Sequence, residues 1–403
     1  MIRARLYIII YIIAASFLTA CHHHHHEEEP KMKAKPMTVI FYIAGQNSLN
    51  PELQTNIDSL TASREVIPDS CNVIIFRDSP DKCTIMRLTA EEGLSTMHTY
   101  FENVNSCDST AMLEVLQRII RQFPANHYAL TFASHATGWV PRKSPRKTFG
   151  IDRSQLTADG QNYMSMNISE LQWVLEHLPH FDYIFFDACF MQDIEIAYEL
   201  RHRTDWLIGS PAEIPAPGAP YDKRMLKALC TSDIEGIVNA YHDNFPNRRT
   251  WMLGEVPISA IRSASLESLA RATRRYVPTL FADRTNVHTE GFQPHCDYAR
   301  DWERTPEYLD YSYRFDMKTT MFRLLSEGEF AEWETAYEAA VPYHPSITSW
   351  YANHCLHSTI ADPVHYGSVT MFVPLDEYNR TGLNENFHQT QWYEAAGWNE
   401  TGW

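Results

Sequence analysis

Two side chains have the type and setting for covalent chemistry. Cys189 lies in the run Phe185-Phe186-Asp187-Ala188-Cys189-Phe190-Met191, where the pattern predicts that a buried strand gives way to a helix within two or three residues. A cysteine at such a junction faces free backbone N–H groups and the positive end of a helix dipole, and both favour thiolate over thiol. Its own N–H is placed to meet a developing oxyanion. His135 lies in Phe132-Ala133-Ser134-His135-Ala136-Thr137-Gly138-Trp139, directly after another apolar run. An imidazole base beside a thiolate is the nucleophile–base arrangement that acyl transfer needs. Each residue also has a plainer reading. A buried cysteine is a small inert hydrophobe, and a lone histidine at a strand end is usually structural. The pattern alone leaves the choice open.

The elements around these residues decide whether the two side chains meet. Buried strands are predicted at 38–44, 71–76, 128–134, 183–186 and 206–210, each rich in β-branched or aromatic residues. Helices are predicted between them: one over 49–60, one capped by Asp108 or Ser109 and stopped by Pro124, and one opened by Asn167 with Glu170 and stopped by Pro179. A further helix carries Ile194, Ala197, Tyr198 and Arg201. Strands alternating with helices imply an α/β fold, a mostly parallel sheet covered on both faces. Sites in such sheets lie beyond the carboxyl ends of the strands. His135 follows the third strand and Cys189 the fourth, at one edge of the sheet. From Pro215 the chain reads as loop and helix, with Leu266, Leu269 and Ala272 on one helix and Phe330, Trp333, Tyr337 and Ala340 on another. A late strand is predicted at 368–373. Residues 285–313 show no clear period, and there is no internal repeat.

Composition narrows the classes. The 403 residues are 44% hydrophobic and 12% aromatic, enough to bury a large core, which excludes wholesale disorder. A net charge of −16 argues against nucleic-acid partners, which need a basic footprint. The start of the chain reads as an export signal. Arg3 and Arg5 precede a short apolar run at 7–17, and Leu18-Thr19-Ala20-Cys21 closes it. This resembles the lipobox of bacterial lipoprotein signals, in which the cysteine, here Cys21, is lipidated. The run is too short to span a bilayer, which takes about 20 residues. Five histidines at 22–26 and three glutamates at 27–29 come next. They read as a solvated tether rather than a metal-binding tract. The glutamates resemble a surface-export signal of Bacteroidetes lipoproteins. The expected location is therefore the cell envelope, at the outer membrane or cell surface of a Gram-negative bacterium. The other cysteines are Cys71, Cys83, Cys107, Cys189, Cys230, Cys296 and Cys355. They include no C-x-x-C pair, which argues against zinc ribbons and thioredoxin-like sites.

Several segments together are similar to the clostripain-like family of cysteine peptidases, which share the caspase-like fold. They are residues 37–45 with Asn47 and Leu49, Ser134-His135 with Gly138-Trp139, residues 149–152, residues 181–200, and Ser210-Pro211-Ala212-Glu213. The resemblance covers 37–221 well and the C-terminal half loosely. It implies that Cys189 is the nucleophile and His135 the general base and acid, with the N–H groups of Ala136 and Cys189 holding the oxyanion. It also implies specificity-pocket roles for Asp187, Glu213 and the position of Pro217. Asp187 has a second reading, as an acceptor of backbone hydrogen bonds at a helix start. Asp152 and Glu213 read as loop-capping carboxylates, and Trp139 as a pocket wall or plain packing.

The resemblance implies protein or peptide substrates and no organic cofactor. Some relatives use calcium, but no ligand set is identifiable. Relatives are often activated by a cut after a basic residue between the histidine and the cysteine, and residues 141–147 (PRKSPRK) would offer one. The implied organisation is a signal peptide at 1–20, a tether at 21–36, a peptidase domain at 37–258, and a helical and mixed extension at 259–403 packed on the core.

Three positions depart from the family. Ala136 stands where glycine is usual, which matters only if the site needs positive φ. Gln46 stands where Asp is frequent. Ala216-Pro217-Gly218 replaces an acidic turn found in some members, so a strict preference for Arg or Lys is expected to weaken unless Asp187 or Asp222 compensates. These departures also suit an alternative, an inactive member acting as a peptide- or protein-binding surface lipoprotein. A phosphatase-like Asp187 nucleophile would need a second acid where Cys189 stands. The chain has no G-x-S-x-G, H-E-x-x-H, P-loop or G-x-G-x-x-G motif.

Overall fold

The computed structural model describes residues 32–102, 104–139, 149–154, 164–244, 255–284, 287–295, 314–350 and 359–403. The signal and tether up to residue 31, with Cys21, lie outside this range. So do residues 141–147, Cys296, Cys355 and most of 285–313.

The strands are β1 (Lys35–Ala44), β2 (Cys71–Asp78), β3 (Cys83–Thr89), β4 (Gly93–Tyr100), β5 (Ala125–Ala133), β6 (Phe149–Asp152), β7 (Met164–Met166), β8 (Phe181–Asp187), β9 (Thr204–Gly209), β10 (Ser259–Arg262), β11 (Pro294–His295), β12 (Arg314–Asp316) and β13 (Thr370–Phe372). Eight form the main sheet, in the order β10-β9-β8-β5-β1-β2-β3-β4. The five central strands, β9, β8, β5, β1 and β2, run parallel. The outer strands β10, β3 and β4 pair antiparallel. Two smaller sheets are β6–β7 and β11-β12-β13.

The helices that cover the main sheet are α1 (Asn50–Ala62), α2 (Ser109–Gln122), α3 (Ile168–Glu176), α4 (Ile194–Leu200), α5 (Lys223–Cys230) and α6 (Ile234–Asn244). They lie on both faces because the central strands are apolar at nearly every position. Alternate side chains of a strand point to opposite faces. In β1, Ile40, Tyr42 and Ala44 join one core, and Met37, Val39, Phe41 and Ile43 join the other. The first core is closed by α2, α3 and α4, through residues such as Leu116, Leu171 and Ile196. The second is closed by α1, α5 and α6, through Leu53, Ile57, Met225, Leu226, Ile237 and Tyr241. Helix starts follow the chemistry read from sequence. Asp108 accepts from Ala111 N at the head of α2, and Asn167 with Glu170 forms a capping box on α3.

The C-terminal part adds α7 (Leu266–Arg274), α8 (Met317–Leu324), α9 (Glu327–Ala340) and α10 (Gln391–Ala395). Its apolar side chains, among them Leu269, Trp333, Met371 and Trp392, belong to the same core as α2, α3 and α4. The main sheet runs across residue 258, where the sequence reading ends the peptidase domain, because β10 begins at Ser259 and pairs with β9. The β3–β4 hairpin has no counterpart among the strands expected from the sequence. Gly93, at φ 75°, makes its turn.

Candidate active site

The register of the sheet places the two reactive side chains. β5 and β8 are parallel neighbours with Ala133 opposite Asp187. His135 and Cys189 each stand two residues further on, so they leave the sheet side by side. Both line one cavity of about 190 Å³, shared with Glu52 of α1, Asp187, Glu213 and the Pro215–Gly218 turn.

Cys189 is buried, with 8% of its surface exposed. It does not stand at a helix N-terminus, as the sequence pattern predicts. Residues 188–190 form a bend and turn, and α4 starts only at Ile194 with Asp193 at its N-cap. The helix dipole therefore does not act on the sulfur at close range. The tight turn is made by Phe190 at φ 59°, a left-handed conformation rare outside glycine, with its N–H donating to Ala212 O at 3.1 Å. The donor beside the sulfur is the Ile214 N–H, 3.4 Å from Sγ. The loop after β9 thus supplies a hydrogen bond that a thiolate can accept.

His135 is fixed from two sides. Its carbonyl accepts from Gly150 N at 2.8 Å, and its Nε2 lies 2.9 Å from Ser48 Oγ. Burial, with the charge of Arg153 adding, lowers the imidazole to about 4. It is therefore neutral at pH 7, the unprotonated form a general base needs, but a weaker base than an ordinary imidazole. Asn47 braces the loop. Its Nδ2 donates to Ala44 O and Ile151 O, each at 2.8 Å, and lies 3.3 Å from Ser134 Oγ. Ser48 is a contact that sequence reading missed, because nothing in the local pattern marks a loop serine as facing a histidine 87 positions away.

The other expected residues divide. Asp187 lines the cavity, and its carboxylate accepts from Ala219 N at 2.9 Å, Tyr221 OH at 2.8 Å and Tyr241 OH at 3.2 Å. It anchors the loop that closes the cavity, and the helix-start reading is corrected. Gly218, at φ 67°, passes so close that a Cβ would press on this carboxylate. Glu213 is buried and lines the cavity, and Pro217 lines it too. Asp222 does not line it and caps α5 through Met225 N. Ala136 is buried and bridged to Phe149. It is not among the described non-glycine residues with positive φ, so its Cβ carries no backbone penalty. Gln46 is built into the loop, donating from Nε2 to Ser79 O at 2.9 Å. Asp152 holds a loop, accepting from Ser106 N and Ser154 N. Trp139 packs on Phe372 and Phe387 and does not wall the cavity. Among the described residues, no three His, Cys, Asp or Glu side chains are placed together to hold a metal ion.

Comparisons with known proteins agree with this fold. The family model described as "Clostripain family" matches residues 41–403. The chain is 25% identical over 222 residues to clostripain of Hathewaya histolytica. That match covers 48% of this chain and 42% of clostripain, so the chain spans less than half the length of that relative. A secreted C11 cysteine protease from Bacteroides thetaiotaomicron, solved with an irreversible peptide inhibitor, superposes with a TM-score of 0.76 at 27% identity. The superposition covers 90% of this chain and 99% of that one. An inactive zymogen C11 protease from Parabacteroides distasonis superposes with a TM-score of 0.71 at 25% identity, covering 91% and 99%. The mostly parallel sheet flanked by helices is thus the fold of solved C11 proteases, as expected for a caspase-like chain. With a family match that takes in both reactive residues and the C-terminal half, this chain belongs to the clostripain family.

Proposed function

We propose that the chain is a lipid-anchored cysteine endopeptidase using Cys189 and His135. The observation that carries this is the β5–β8 register, which delivers a buried cysteine and a neutral histidine to one cavity in a clostripain-family chain. In this reading His135 takes the thiol proton of Cys189, and the thiolate attacks the scissile carbonyl. The N–H groups of Cys189 and Ala136 hold the oxyanion of the tetrahedral intermediate. His135 returns the proton to the leaving amine as the C–N bond breaks, leaving a thioester. It then removes a proton from water, which attacks the thioester and frees the acid. No step needs a cofactor. The peptide inhibitor bound by the Bacteroides thetaiotaomicron protease supports peptide substrates.

The cavity also bears on specificity. Loss of the acidic turn at Ala216–Gly218 points to a weakened preference for Arg or Lys. The cavity nonetheless presents Glu52, Asp187 and Glu213. Asp187 is already engaged by its three donors, but Glu52 and Glu213 are two further carboxylates that favour a cationic side chain ahead of the scissile bond, so a basic preference is the better reading. A fluorogenic peptide library varied at that position tests function and preference together. Arg or Lys should be preferred by about tenfold or more over apolar residues, and Cys189→Ala should abolish cleavage. A flat profile would refute the preference, and full activity in Cys189→Ala would refute the mechanism.

Anchoring rests on the sequence alone. Among the described residues, no helix is long and apolar enough to cross a membrane. A lipid on Cys21 would hold the enzyme at the envelope, where its partners are the membrane and protein substrates. Several acyl chains bind stably where one does not. Cys21→Ser should therefore move the protein out of the membrane pellet, and a wild type that stays in the supernatant without detergent would refute the anchor.

A further inference from the structure

Arg314 is a buried cation that no step of the proposed reaction uses. It begins β12 in the C-terminal sheet and is 1% exposed. Its guanidinium reaches both loops that carry the reactive residues. Nη2 donates to the carbonyl of Thr137, two residues beyond His135. Nε lies 3.4 Å from Asp193 Oδ2, at the N-cap of α4, and both side chains are only 1% exposed. The guanidinium carbon is 5.2 Å from the ring centre of Phe190, the residue directly after Cys189 in the left-handed turn. Gly138, at φ 80°, passes so close to the guanidinium that a Cβ there would overlap it.

We propose that Arg314 is a positioning residue that sets the spacing of His135 and Cys189 by gripping the loop after each. The role rests on the Cys189–His135 reading of the site. A planar guanidinium with several donors in a fixed fork suits the task, since it can serve a carbonyl, a carboxylate and an aromatic face at once. A lysine offers one point charge and cannot hold all three. Asp193 balances the charge, and it is held in turn by the hydroxyl of Thr370 on β13. The part of the chain beyond residue 258 thereby takes part in the geometry of the site, although none of its described residues lines the cavity.

The test compares Arg314→Lys, Arg314→Met and Asp193→Asn with wild type on a fluorogenic peptide. Active thiols are titrated, and melting is followed in parallel. The expected result is a fall in kcat per titrated thiol of about tenfold or more, since small misplacements of reacting groups are costly. KM should stay within about twofold, because the cavity is untouched, and Lys should rescue less than half of the loss seen in Met. Arg314→Met leaves Asp193 buried without its cation and Asp193→Asn leaves Arg314 without its anion, so either can fail to fold. Arg314→Lys keeps the cation but not the fork, and then decides the matter. Unchanged kcat per titrated thiol in a folded variant would reduce Arg314 to a structural role and overturn the proposal. A wild type without any Cys189-dependent cleavage would instead sink the dyad, and the positioning role with it.

Discussion

Ser48 places its hydroxyl 2.9 Å from Nε2 of His135. A hydrogen bond there fixes the ring's orientation, and the hydroxyl can serve it as donor or acceptor. A neutral hydrogen bond contributes about 1 kcal/mol net, or about fivefold in rate. Ser48→Ala is therefore expected to lower kcat by about fivefold with no change in melting temperature, since Ser48 is exposed. Steady-state kinetics beside a melting curve checks this, and an unchanged kcat would remove Ser48 from the site. At this scale residue types are legible in the sequence and their contacts are not. Cys189 and His135 stand out because each comes just after an apolar strand. The donor beside Cys189 does not, because the turn through Phe190 delays the helix, and no local pattern announces a left-handed phenylalanine.

Among the elements, β2 and β6 meet through a pair of buried acids. Asp78 ends β2, Asp152 ends β6, and Ser106 Oγ lies 2.8 Å from one carboxyl and 3.0 Å from the other. Burial, with the nearby charge of Asp152 adding, raises Asp78 to about 8. In the unfolded chain it ionises near 4. Between these values the folded state holds more protons than the unfolded one, so stability from this group falls as pH rises from about 4 to about 8. Asp78→Asn keeps the shape and removes the titration. It is expected to raise the melting temperature at pH 9 by about 2 °C or more and to flatten its fall with pH. A mutant that melts with the wild-type pH profile would contradict this. The pair matters to the site because β6 holds His135 in place through Gly150 N. The five parallel strands are legible as continuous apolar runs, since both their faces are buried. The β3–β4 pair is not, because β4 has no fully buried residue and reads as a polar stretch. β12 spans only Arg314–Asp316, too short for any period to show.

At the scale of the molecule, the C-terminal half grips the helix that comes after Cys189. Phe372 N donates to Glu195 Oε1 at 2.9 Å, Gln391 N to Glu199 Oε1 at 2.6 Å, and Tyr198 OH to Glu267 Oε2 at 2.9 Å. From the sequence, the peptidase domain is expected to end at residue 258, well after the strand–helix alternation stops near Pro215. The sheet and the buried acids of α4 nonetheless depend on residues beyond 258, and pairings between distant segments leave no local trace. In the proposed mechanism this packing serves one step, in which His135 makes Cys189 a nucleophile. The most direct measurement is the rate at which iodoacetamide alkylates Cys189 at pH 7, located by peptide mapping, in the wild type and in His135→Ala. Cys189 is expected to react about tenfold or more faster than a model peptide thiol, which is only a few per cent thiolate at that pH, and to lose that advantage in His135→Ala. A wild-type rate no faster than the model thiol, or one that His135→Ala leaves unchanged, would contradict the account.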